Sequence, residues 1–373
     1  MIELPVLAFV ALVVALAVRA TAAEGTVFPG ARWEEAAPES QGIDPAALES
    51  AMACLGEHVG HDGAKRAVVV RNGRLIWKGP EADRVQGVWS VTKVFTSTVL
   101  GLLVDDGKCT LDTRAAEILP AMAETYPAVT LRHFTTMTSG YRAQGDEPQG
   151  EYVHGPSKTP LVPSAAPLFA PPGSAYAYWD SAMNQFGNVL AHISGEPVRD
   201  LFGRRIADPI GIDPGRWHWG DPAKPGLGAA GTGSGNHNGH VMVCALDLAR
   251  LGYLFLHRGV WSGRRLISEA WVGAATSVQV PADLPLAGPV RWLDGRGVYG
   301  YNWWVNGTGA DGRRKWPAAP AGTFAASGFN NGKCFVVPEW HMVVVRLGLD
   351  GRAEDTAWNA LFERLSAALA GTA

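Results

Sequence analysis

Cysteine is scarce in this chain, with four in 373 residues, at Cys54, Cys109, Cys244 and Cys334. None stands in a C-x-x-C pair, which excludes a zinc ribbon. In an exported protein the four allow three disulfide pairings, and they pack equally well as buried free thiols, so spacing leaves the choice open. Charge is also thin, at 18% of residues with a net value of −3, and no long Lys/Arg run occurs. Nucleic acid is therefore not an expected partner. H-E-x-x-H is missing; among ten histidines His58 and His61, and His237 and His240, stand three apart with no third ligand in view. No metal is expected on that basis. G-x-S-x-G is missing as well, which disfavours an α/β-hydrolase. The glycine-rich stretch at 226–239 follows no strand and matches neither a Walker A loop nor G-x-G-x-x-G. A nucleotide site is not expected there, and no cofactor is implied.

What the chain does have is apolar bulk, 47% of residues, enough for a large core and two lobes. Residues 4–18 form an apolar run broken by Pro5, followed by Ala20, Thr21 and Ala22. Residues 1–22 thus read as a secretory signal peptide, although Glu3 occupies the n-region and Arg19 lies beyond the run. The run is short for a membrane span. A secreted or periplasmic protein is the expectation, with membrane contact only through an uncleaved N-terminal segment.

The most informative stretch is 87–112, where Ser90 is followed three residues later by Lys93, then by an apolar run closed at Gly107. In a helix, positions i and i+3 share a face, so the amine can reach the hydroxyl. The first turn offers unpaired N–H groups and the positive end of the helix dipole. A serine needs a base within hydrogen-bond reach to become a nucleophile. Lys93 sits among Val88, Trp89, Val91, Val94 and Phe95, where an unpaired ammonium would be costly. Ser90 and Lys93 are the candidate nucleophile and its activator.

Taken in order, 44–57 has helical spacing with an acidic start, and 67–70 and 75–78 are strands joined through Asn72-Gly73, a strong hairpin signal. Helices follow with long irregular connections to about 290. Among these, 144–172 is a long loop, 181–195 a helix, and 245–258 a helix whose buried face is Leu246, Ala249, Leu251, Leu254 and Phe255. Strand character returns at 301–305, 324–328, 334–337 and 342–347, with Pro338-Glu339-Trp340 turning the last two, and 355–370 is an amphipathic closing helix. The expected class is α+β: an antiparallel sheet flanked by N- and C-terminal helices, with an inserted, mostly helical lobe. The α/β lobe would take 40–85 plus 296–373 and the helical lobe about 86–295, with a small-molecule cleft between them.

A serine and lysine pair needs a third group to pass protons to the leaving group. Tyr178 is the candidate, closing a loop just before a helix; a phenol beside an ammonium can have its pKa lowered. Asp180 suits the N-cap of that helix. Trp89, Trp179, Trp303 and Trp304 would make a roomy apolar cleft.

These blocks carry a resemblance. Ser90-Val91-Thr92-Lys93, then 131–140, then Pro172-Gly173 to Tyr178-Trp179-Asp180, then 247–252, then 335–338 is similar, in order and over nearly the whole chain from about Trp33, to the serine β-lactamase-related family. That family includes class C-type β-lactamases, D-alanyl-D-alanine carboxypeptidases, family VIII esterases and 6-aminohexanoate-dimer hydrolases. The resemblance implies a β-lactamase/transpeptidase-like fold in one catalytic domain over 23–373. It also implies an acyl-enzyme on Ser90, activation by Lys93, and Tyr178 as first residue of the Y-x-N element. Two positions depart from the pattern: Asp180 replaces the asparagine, and Ala326-Ser327-Gly328 replaces K-T-G or H-x-G, leaving no cation at 326. The N–H groups of Ser90 and Phe329 would form the oxyanion hole, with Trp179, Asp180, Ser327 and Gly328 contacting substrate. The departures favour an esterase or amidase acting on a neutral acyl group of a small molecule. β-Lactamase, D-Ala-D-Ala carboxypeptidase, or a catalytically weak acyl-binding sensor are the alternatives.

Overall fold

The hairpin at Asn72-Gly73 shows how local chemistry starts the sheet. Both turn residues are left-handed, at φ 51° and 80°, the backbone that a two-residue turn between twisted strands requires and that Asn-Gly adopts at little cost. It joins β1 (Arg66–Arg71) to β2 (Arg74–Lys78). A computed structural model describes residues 26–144, 162–220, 233, 239–287, 293–351 and 353–370. The expected leader at 1–22, most of the expected loop at 144–172 and nearly all of the glycine-rich stretch at 226–239 lie outside the described residues.

The remaining strands of the main sheet are β8 (Trp304–Val305), β9 (Phe324–Gly328), β10 (Gly332–Val337) and β11 (Met342–Leu347). They assemble in the order β2-β1-β11-β10-β9-β8, antiparallel throughout. First and last segments of the chain thus meet in one sheet. Between them in sequence fall β3 (Gln86–Gly87), β4 (His218–Trp219), β5 (Val241–Val243) and the small hairpin of β6 (Val260–Trp261) and β7 (Arg264–Arg265). The described helices are α1 (Pro45–His58), α2 (Thr92–Asp105), α3 (Ala115–Ile118), α4 (Leu131–Thr135), α5 (Asp180–Ser194), α6 (Val198–Phe202), α7 (Ala245–Leu256), α8 (Glu269–Ala275) and α9 (Asp355–Ala370).

Strand alternation decides what each face meets. Phe335 turns to α9, its ring 5.4 Å from Trp358 and 5.0 Å from Phe362. Its neighbour Cys334 turns the other way, toward α7, where Gly252 lets the helix settle: a Cβ there would stand 2.8 Å from the Cys334 sulfur and 2.9 Å from Val343. Helix α7 therefore covers the sheet although its sequence position falls within the helical lobe. All four cysteines are buried free thiols.

Two expectations change. The strand at 301–305 shrinks to Trp304–Val305, because Asn302 is left-handed (φ 61°) and its N–H donates to the Thr135 carbonyl at 3.1 Å instead of joining a ladder. The lobe between the two halves also contains a three-stranded sheet, β3-β5-β4, whose two- and three-residue strands are too short to show a period. Among the described residues no helix is long and apolar enough to cross a membrane.

The N-terminal segment packs Phe28 against Tyr253, His257 and Trp261. Burial, with His341 adding to it, pushes the His257 imidazole down to about 4, and among the described residues its Nε2 has no hydrogen-bond partner. A histidine held neutral in the fold but free to charge when unfolded removes stability as pH falls. His257 should thus weaken the protein between its ordinary value of 6.5 and about 4. Urea titrations of His257→Phe across that window should show a flatter acid limb than the parent, and equal slopes would contradict the assignment.

Candidate active site

Helix α2 is buried on every side from Thr92 to Leu103, and its fixings come from far away in sequence. Thr92 Oγ1 accepts from the Val241 N–H at 2.9 Å, the Val88 N–H donates to the Val241 carbonyl at 3.0 Å, and Ser97 Oγ donates to the Tyr301 carbonyl at 2.7 Å. Such a helix cannot shift without disturbing β5 and the chain around Tyr301. Ser90 sits in a 3₁₀ turn, Trp89–Val91, that leads into it. Trp89 just before it is left-handed, at φ 50°. For a bulky residue that conformation costs on the order of 1 kcal/mol or more, and such strain clusters at functional sites.

Lys93, one turn along, donates to Ser90 Oγ at 2.8 Å. Its ammonium also lies 2.7 Å from Asp180 Oδ1, with both side chains only 1% exposed. Burying one of these charges alone would be prohibitive, whereas each makes the other tenable. Asp180 is the first residue of α5, where the helix dipole favours a negative charge. It is not the N-cap, a position held by Trp179, and no side-chain cap bond forms there. The carboxylate is turned inward to Lys93.

Tyr178 reaches the same point from its own loop. The Lys93 ammonium lies 4.7 Å from the centre of its ring, and its hydroxyl is hydrogen-bonded to Ser90. The expectation of a lowered phenol pKa is overturned. Burial and then the Asp180 charge push it well above the ordinary value, and the bond to Ser90 offsets this only in part. A phenol shut away from water beside a carboxylate keeps its proton.

The last strand before the β9–β10 turn forms the opposite wall. Gly328 is indispensable by distance: a Cβ there would meet the Val88 carbonyl at 2.4 Å and the Val91 nitrogen at 3.1 Å. Phe329 packs edge-on against Trp89, ring centres 5.6 Å apart. Ser327, Gly328 and Phe329, like Ser90 and Trp89, keep partial exposure. Ala326 is fully buried.

The apolar cleft of four tryptophans does not form. Trp303 is 1% exposed and packs against Phe255 and Phe324 on the α7 side. Trp304 points the other way and stacks on Tyr178 at 6.3 Å. Trp179 is buried, and only Trp89 stays half-exposed. Two further residues lie beside the site that the sequence did not assign to it. The His240 ring stands 5.2 Å from that of Trp89, and Lys333, on β10, donates to Ser327 Oγ. His237 lies outside the described residues, and among those described no group of three His, Cys, Asp or Glu side chains could hold a metal.

Comparison with known proteins follows the same outline. The β-lactamase family model matches residues 48–351. The D-alanyl-D-alanine-carboxypeptidase/endopeptidase AmpH of Escherichia coli (strain K12) is 33% identical over 144 residues, 36% of this chain and 37% of its own length. The match therefore spans little more than a third of that relative. Penicillin-binding protein 4 of Amycolatopsis lactamdurans is 27% identical over 319 residues, 78% of each chain. The crystal structure of a family VIII carboxylesterase superposes with a TM-score of 0.63, at 18% identity over 88% of this chain and 99% of that one. The ordered blocks, the six-stranded sheet with its flanking helices and the family match agree, and the chain belongs to the β-lactamase family of hydrolases.

Proposed function

We propose that the protein is a serine hydrolase that forms an acyl-enzyme on Ser90, acting as a carboxylesterase or amidase on small molecules. One observation carries this: Ser90 Oγ, the Lys93 ammonium, the Asp180 carboxylate and the Tyr178 hydroxyl form one contiguous cluster, joined by hydrogen bonds and an ion pair, at the head of α2. With asparagine in place of Asp180 the lysine would carry an unbalanced charge. With aspartate the pair is neutral overall and offers a proton acceptor.

The steps follow from those contacts. Lys93 first hands one of its protons to Asp180 across 2.7 Å, and the amine so formed takes the proton of Ser90 as Oγ attacks the substrate carbonyl carbon. The lysine is thereby an ammonium again, and its charge steadies the tetrahedral adduct. The N–H groups of Ser90 and Phe329 hold the carbonyl oxygen as it becomes negative, a contribution of about 3 kcal/mol for each donor. As the tetrahedral adduct collapses, the neutral Tyr178 phenol protonates the departing oxygen or nitrogen. Its proton is restored from the Asp180–Lys93 side, so the hydrogen taken from serine balances the one lost with the leaving group. Water then enters where the leaving group stood, and the same groups run in reverse to free the acid and Ser90.

A fluorophosphonate probe followed by peptide mapping tests the nucleophile. The adduct should fall on Ser90 and vanish in Ser90→Ala. Labelling that survives the substitution, or a panel of p-nitrophenyl acyl esters hydrolysed equally by Ser90→Ala, would remove the assignment. Nitrocefin and D-Ala-D-Ala peptides in the same panel separate the neighbouring activities of the family.

A further inference from the structure

The turn between β9 and β10 carries the Phe329 N–H, and its shape is fixed from outside. Asn330 and Asn331 are both left-handed, at φ 58° and 60°. Residues other than glycine keep that backbone where their surroundings over-determine it, and such places cluster at functional sites. Inside the turn the Gly332 N–H closes on the Phe329 carbonyl. The outside fixings centre on one buried cation. Arg346, on β11 and 1% exposed, donates from Nη1 to the Asn330 carbonyl, from Nε to the Gly63 carbonyl at 2.8 Å and from Nη2 to the Val59 carbonyl at 3.3 Å. The Val59 carbonyl also accepts from Asn331 Nδ2 at 3.1 Å, and Asn331 Oδ1 accepts from the Ala353 N–H at 2.8 Å. Gly348 leaves room for the guanidinium, which a Cβ there would strike.

The platform that Arg346 grips is itself clasped. Asp350 accepts from the His61 N–H at 2.7 Å and the Asp62 N–H at 3.2 Å, and Asp62 accepts in return from the Leu349 N–H at 2.6 Å. Asp350 lies 3.8 Å from Arg346 Nη2 and Asp62 3.3 Å from Arg66 Nη1, so each carboxylate serves an arginine and a backbone. Arg66, 4% exposed, also donates to Gln86 Oε1 at 2.8 Å, and Gln86 Nε2 donates to the Gly348 carbonyl at 2.8 Å. Gln86 opens β3, just ahead of Ser90. Segments 59–63 and 348–351 are thus tied to the chain entering Ser90 by Gln86 and to the turn leaving Phe329 by Arg346. A planar guanidinium suits this task, since it loses little freedom for each bond it makes. A donor stabilises a developing oxyanion only as far as it is placed beforehand, and a displacement of about 1 Å can cost about a hundredfold in rate.

We propose that Arg346 is a positioning residue for the reaction: it sets the Phe329 N–H at the oxyanion, from the same platform that places Ser90 through Gln86. This rests on the Ser90 hydrolase assignment and adds to it a group that acts through the β9–β10 turn, not through contact with substrate.

The test uses p-nitrophenyl butyrate and its thiono analogue, in which sulfur, a larger and weaker acceptor, replaces the carbonyl oxygen. A well-placed donor pair discriminates against sulfur, and a displaced one does so less. In Arg346→Met kcat/KM for the oxygen ester should fall about tenfold or more, chiefly through kcat, with the sulfur ester little changed, so that the oxygen-to-sulfur ratio falls about tenfold. Arg346→Lys should recover part of that ratio. Asn331→Gly keeps a backbone that accepts φ 60° and removes both side-chain bonds. It should show the same lowered ratio, and it carries the test if Arg346→Met does not fold. Butaneboronic acid, whose tetrahedral Ser90 adduct sets an oxygen at the same point, should inhibit both variants about tenfold less well at unchanged KM. Arg250→Met is the control: Arg250 is 2% exposed and holds the Ile210, Gly30 and Ala31 carbonyls instead of the turn, so its loss should lower the urea midpoint and leave the ratio at the parent value. A ratio and a boronate inhibition that stay at parent values in folded Arg346→Met or Asn331→Gly, or an equal fall in Arg250→Met, overturn the assignment. Failure of the hydrolase reading would appear differently, as ester turnover that Ser90→Ala does not reduce.

Discussion

Lys93→Met should abolish nearly all turnover and unsettle the fold at once. Without the amine, Ser90 has no group 2.8 Å away to take its proton, and kcat/KM should fall about a thousandfold or more. The second effect is on stability. Asp180 is left 1% exposed with its counter-ion gone, and removing one member of a buried pair costs about 3–5 kcal/mol. The double variant Lys93→Met/Asp180→Leu separates the two consequences, because replacing both charges with apolar groups restores much of the stability and none of the chemistry. Urea midpoints and p-nitrophenyl ester kinetics read both. A single variant as stable as the parent would show that the pair is not what holds the head of α2 to α5.

Asp180→Asn is the sharper test of the proton route. The change is nearly isosteric and restores the asparagine of the family pattern, so it removes the acceptor while leaving the packing of α5 in place. At neutral pH kcat/KM should fall about a hundredfold to a thousandfold. The sign of the accompanying pH effect also follows. Asp180 is one of the two influences that hold Tyr178 up; without it the phenol faces an uncompensated ammonium and becomes more acidic. The variant should therefore regain activity as pH rises and Tyr178 ionises, whereas the parent should show no such rise. Full activity of Asp180→Asn at neutral pH, with an unaltered profile, would mean that the carboxylate takes no part in the transfer.

Much of this site could be read from spacing, and the exceptions share a cause. Ser90 and Lys93 lie three apart, so helix geometry alone joins them. Asn72-Gly73 and the β-branched runs of β1 and β11 are local too. Asp180 reads locally as a cap, and only the approach of α5 to α2 turns it into the partner of Lys93. The direction of the Tyr178 shift needed its surroundings: sequence offers a nearby cation, but the fold adds burial and an acid that outweigh it. Trp303 and Trp304 are neighbours that diverge to opposite sides of the sheet, so only one of them can approach the site. Lys333 reads as one charge in a strand, and its contact with Ser327 depends on a register that no periodicity within β10 reveals.

The four thiols have a further bearing on where such a chain can be made. None is cross-linked, and burial drives Cys109 up to about 11 and Cys244 and Cys334 to about 12, with Cys54 raised as well. Thiols so reluctant to become thiolates are slow to exchange, alkylate or oxidise. The architecture is accordingly indifferent to glutathione, and maturation needs neither a thiol oxidase nor a disulfide isomerase.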